Sequence, residues 1–148
     1  MASNTLRFDL ALLVLRVSFG VQLALFHGLG KMQSYLGNAT SFPDPLRIGW
    51  RNSLLGAALG EFVCGLLVAA GMFTRVAAAG MGFTMAVAAF VVHGSDSWAM
   101  REMSTMYLSV ALAVLLMGAG RWSIDHLVWP RLRGLAGRRA ASGRRGTA

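Results

Sequence analysis

The chain has 148 residues, 55% of them hydrophobic and only 14% charged, and its mean hydropathy is +0.56. Soluble domains average about 25% charged residues, so this balance excludes an ordinary water-soluble domain and points to one membrane-embedded domain. The net charge of +8 does not call for nucleic acid as a partner. Arginines just beyond an apolar segment hold a helix end in the cytoplasm and meet anionic headgroups, so membrane lipid is the expected contact.

Four apolar stretches follow in order: residues 8–31, 53–73, 76–94 and 101–119. Each approaches the roughly 20 residues that a helix needs to cross a bilayer core. Leu, Ala and Met dominate them and polar and apolar residues do not alternate, so helices are expected rather than strands. The first stretch is too long for a signal peptide, contains Arg16 and lacks an Ala-x-Ala cleavage pattern, so it is read as retained. Thr74-Arg75 joins the second and third stretches tightly, which predicts an antiparallel hairpin. Gly56 and Gly60 stand at the Gly-x-x-x-Gly spacing and are read as bundle packing. Cys64 is the single cysteine, so no intramolecular disulfide forms, and it reads as a small buried thiol.

The predicted fold is all-α, an integral membrane four-helix bundle over residues 1–127 followed by a basic tail over 128–148. With both termini cytoplasmic, nine Arg residues lie inside, and Lys31, Arg47, Arg51 and Arg101 lie outside. That bias favours this orientation, in a bacterial inner membrane.

Ionisable side chains inside the spans are the chief functional signal. A charge in hydrocarbon costs roughly 2.5 to 3.5 kcal/mol on insertion scales, so such groups face one another, a cavity or a ligand. At 1.5 Å of rise per residue, Arg16 stands roughly 12 Å from the inner face, Glu61 roughly 18 Å, and His27, His93 and Glu102 roughly 27–29 Å, with Lys31 just beyond. These depths predict a polar pocket in the outer half, with His27, Lys31, Glu61, His93 and Glu102 as ligand-binding residues. Arg16 and Glu61 are predicted to form a structural ion pair. Lys31 also reads as an interfacial anchor, and His93 and Glu102 as solvated helix ends. Met100, Met103 and Met106 read as a packing stripe; as soft thioethers they are also a minor Cu(I) candidate, and no other metal site is expected.

The order of these pieces resembles the DoxX family of small four-helix membrane proteins. The matching residues are Arg16, His27-Gly28 with Lys31, Glu61 with Gly65, the turn from Gly71 to Ala78, His93, Glu102, and the run from Gly118 to Asp125. The likeness runs from about residue 10 to 127, and Cys64 replaces the first glycine of the family's Glu-x-x-Gly-Gly pattern. The resemblance implies quinone-level redox work in a membrane, beside a partner redox protein or as a homo-oligomer. Relatives are linked to a thiosulfate:quinone oxidoreductase, to oxidative-stress defence, and to quinone or catechol resistance. More distant ones look like trafficking or assembly factors. The expected function is therefore a redox-associated subunit that takes a quinone or similar small aromatic. Transport or copper handling, and a non-catalytic assembly role, are the alternatives. No catalytic residue is assigned, and quinone is the one cofactor entertained.

Overall fold

The computed structural model describes residues 2–128, and every regular element in that range is helical. Four long apolar helices carry the architecture: α1 (Thr5–Leu36), α2 (Trp50–Ala70), α3 (Thr74–Val92) and α4 (Trp98–Met117). All four are long and apolar enough to span a bilayer, which makes this a multi-pass membrane protein. Their ends differ from the predicted spans by a few residues, most at α1, which runs on to Leu36. The arginines of the predicted tail, from Arg131 onward, lie outside the described residues.

Three of the four helices contain a π-helical turn: Leu23–Gly28 in α1, Leu59–Val63 in α2 and Ala88–Val92 in α3. Such turns insert an extra residue and re-aim the side chains around them, and they concentrate at functional sites. The α1 and α2 π turns pack on each other. Gly28 permits this approach, because a Cβ there would lie 2.6 Å from Phe62 Cα and 2.7 Å from the Glu61 carbonyl carbon. Lower down, a Cβ on Gly20 would meet Gly65 O at 2.6 Å, so α1 and α2 touch backbone to backbone over much of their length. Gly56, by contrast, has open space around it, and only Gly60 of the predicted glycine pair packs closely, against Thr84.

The buried core threads all four helices through Leu12, Leu23, Val68, Met81, Met85, Tyr107 and Val114. Most of the remaining apolar side chains face outward, which suits helices surrounded by lipid. The methionine stripe belongs to that outward set. Met100 is 58% exposed, Met103 48% and Met106 51%, so the expected packing role is corrected to a surface one. The cause is helical phase: α4 turns Ser104, Tyr107, Ala111 and Val114 inward, leaving the methionine face outside.

The α2–α3 turn closes with a Schellman arrangement. Gly71 takes a left-handed φ of +69°, its N–H donates to Val68 O at 3.1 Å, and Met72 N–H donates to Leu67 O at 3.0 Å. Asp125, from the segment after α4, then caps α3. Its carboxylate accepts from Phe73 N at 2.8 Å, Thr74 N at 2.9 Å and Thr74 Oγ1 at 2.8 Å. The two backbone donors are among the N–H groups that a helix start leaves without partners.

Candidate functional site

Two buried charges organise the bundle, and they do not meet. Arg16 has no exposed surface; its Nη1 donates to Val68 O at 3.2 Å and its Nη2 to Trp122 O at 2.7 Å. Asp125 lies within electrostatic reach. The predicted Arg16–Glu61 pair is therefore corrected: the guanidinium turns toward the end of the bundle where the chain begins and closes, while Glu61 turns toward the end bearing the 37–49 loop. Height arithmetic placed the two within an arginine's length of each other, but it carried no information on which way the side chain extends. The nearby carbonyls at the end of α2 supply the nearer acceptors.

Glu61 is 3% exposed and forms an ion pair with Lys31 through Oε1. The π turn that contains Glu61 packs against the one that precedes Lys31, and this juxtaposition brings the pair together. Glu61 Oε2 is buried and has no hydrogen-bond partner among the described residues. Since most buried polar atoms are satisfied, a half-used carboxylate in an apolar bundle marks a place where something else can bind.

His27 lies one turn before Lys31 on the same helix. Its ring meets Tyr107 edge-on, with centroids 5.9 Å apart and planes at 72°. Phe19 also meets Tyr107 edge-on, at 5.8 Å and 83°. Tyr107 is buried on α4 and feels the Glu61 carboxylate through space. Sequence reading missed Tyr107, since a lone tyrosine in an apolar helix carries no motif. Its place on the inward face with Ser104, Ala111 and Val114 was the available signal.

His93 and Glu102 are not part of this group. His93 closes the α3–α4 turn, its Nδ1 2.8 Å from Asp96 Oδ2, and Arg101 straps the same turn through Gly94 O. Glu102 lies on exposed surface near the start of α4, past its first turn. Thus three predicted residues, His27, Lys31 and Glu61, gather between α1 and α2 with Tyr107 of α4 beside them, while His93 bonds within the neighbouring turn and Glu102 faces outward from α4. Among the described residues no group of three His, Cys, Asp or Glu side chains could hold a metal ion.

A cleft of about 360 Å³ opens at the same end of the bundle, lined by Tyr35, Asn38, Thr40, Trp50, Arg51 and Leu54. Tyr35 stands one turn beyond Lys31, and Leu54 seven residues before Glu61, so the cleft adjoins the ion pair from the loop side.

A four-span bundle with a buried, half-satisfied ion pair defines a membrane protein with an intramembrane polar site. The family model for DoxX matches residues 11–94, more than half the chain, and the chain belongs to the DoxX family. The match takes in α1, α2 and α3 with Arg16, His27, Lys31 and Glu61; α4 with Tyr107 lies beyond it. No curated protein and no solved structure matches the chain.

Proposed function

We propose that this DoxX-family protein binds the head of a quinol, or a similar hydroxylated ring, between α1, α2 and α4, and serves as a redox-associated subunit. The single observation carrying this reading is Glu61, buried with one oxygen held by Lys31 and the other without a partner among the described residues. Such a carboxylate can accept a hydrogen bond, and then a proton, from a ring hydroxyl. Lys31 balances the charge before and after the transfer. The His27 and Tyr107 rings supply apolar edges and polar tips suited to a flat ring in a largely apolar wall. Ring oxidation releases two electrons as well as protons, and those electrons pass to a partner oxidoreductase or to a second subunit, since this chain offers no set of residues for haem or an iron–sulfur cluster. His93 serves the α3–α4 turn rather than the ring itself.

The setting proposed is a bacterial inner membrane, with both termini cytoplasmic and the Lys31–Glu61 end facing outward, as the arginine bias favours. The test is binding of a short-chain quinol analogue to the purified protein in lipid nanodiscs, followed by calorimetry. Affinity should fall tenfold or more in Glu61→Gln and in Lys31→Met, with helicity retained. Equal affinity in wild type and both variants would sink the reading.

A further inference from the structure

We propose that the cleft at the loop end is a second, outward subsite for a small planar anion carrying an aromatic ring, such as an aromatic carboxylate. The inference deepens the reading of the adjoining site, since it names the chemistry that the mouth selects. Three observations carry it. Its volume of about 360 Å³ lies in the range of small-molecule sites, which run from about 300 to 1,000 Å³. Tyr35 and Trp50 give it flat aromatic walls, and Asn38 and Thr40 add polar groups. Arg51 is the one charged residue among its lining.

Arg51 is the decisive member. Its guanidinium carbon lies 5.5 Å from the centroid of the Tyr35 ring, so the cation is held by a ring face. It has no carboxylate partner among the described residues. The loop's acid, Asp44, is engaged elsewhere: its oxygens accept from Ser53 Oγ at 2.6 Å, Gly49 N at 2.8 Å and Ile48 N at 3.1 Å. Lys31 is likewise committed to Glu61. A stacked guanidinium with its N–H fork unspent matches a carboxylate in shape and charge, and a ring attached to that carboxylate fits beside Trp50. Arg51 sits on the α2 face that leads, by way of Leu54, down to Glu61. The subsite thus lies on the loop side of the ion pair, with the opposite charge preference to Glu61.

The experiment uses benzoate, benzyl alcohol and acetate as probes, with the full-length protein in nanodiscs of zwitterionic lipid and saturation-transfer NMR as readout. Benzoate should bind saturably, and benzyl alcohol and acetate at least tenfold more weakly. Arg51→Gln should weaken benzoate at least tenfold. Arg51 is exposed, so this change leaves packing intact; Trp50→Leu should also weaken benzoate as an independent check. Glu61→Gln should leave benzoate binding in place while losing the quinol, which separates failure of the subsite from failure of the inner site. The proposal is overturned if Arg51→Gln binds benzoate like wild type, if benzyl alcohol binds as well as benzoate, or if anionic phosphatidylglycerol in the nanodisc displaces benzoate. The last result would assign the cleft to a lipid headgroup.

Discussion

The two ends of this bundle use buried charge in opposite ways. At the terminal end, Arg16 spends both Nη groups on backbone carbonyls, Asp125 accepts three donors at the start of α3, and Asp9 accepts from Arg121 N at 3.1 Å. These bonds join segments far apart in sequence, all but the Thr74 hydroxyl bond running between side chain and backbone, and a backbone partner cannot swing away. At the loop end, Lys31 and Glu61 pair side chain to side chain, and a second carboxylate oxygen is left over. A charge locked onto backbone is a clamp. A charge shared between two side chains can exchange partners, which is what a site requires.

The largest expected effect breaks the clamp. Arg16→Met leaves the buried Val68 carbonyl without that donor, at about 1–3 kcal/mol, and the part-buried Trp122 carbonyl at less. Unfolding in mixed detergent micelles should shift accordingly, while the fraction that stays folded should bind the quinol analogue as wild type does. A folded Arg16→Met protein that has lost binding would erase the distinction between the ends.

Next comes the ion pair. Lys31→Met strands the Glu61 carboxylate, which costs up to about 3–5 kcal/mol where the site is dry. The double change Lys31→Met with Glu61→Leu should recover most of that stability and none of the binding. If the double variant is no more stable than Lys31→Met, the two residues do not depend on each other and the site has been misread. A smaller effect is expected from Gly28→Ala, whose new Cβ meets the Phe62 backbone; overpacking of this kind costs about 1–3 kcal/mol. Because that wedge enters between the two π turns, quinol affinity should fall together with stability.

Much of this was legible in the chain. The span count followed from length and hydropathy, and the family from Arg16, His27, Glu61 and the Gly71 turn in order. The spacing of the ionisable residues along each helix was readable too, because rise per residue is fixed. Azimuth did not follow. Three π turns shift the side-chain direction within α1, α2 and α3, and no local residue pattern announces them. That is why Glu61 was matched to Arg16 instead of Lys31; Met103 and Met106 were placed inside because the phase of α4, a regular α-helix, was equally unread. The role of Asp125 was equally hidden: it caps a helix that starts 51 residues earlier, a contact that only folding creates.

The smallest effect belongs to the frame of the site. Asp44 lies in the loop before α2, and hydrogen bonds hold its carboxyl below the ordinary value of 3.8. The bond from the Ser53 hydroxyl contributes most, followed by those from Gly49 and Ile48 N–H. A folded-state value below the unfolded one means that the unfolded chain takes up the proton first as pH falls. The stabilisation from Asp44 is therefore complete above the ordinary aspartate range and is lost as pH drops through the folded value. Asp44→Asn removes the charge and should lower the melting temperature slightly near neutral pH. The gap between wild type and variant should then close on acidification from about pH 7 to about pH 3. A gap that stays constant over that range would mean that the loop is held by its prolines and backbone turns, and that the Asp44 charge contributes nothing to positioning Trp50 and Arg51 beside the ion pair.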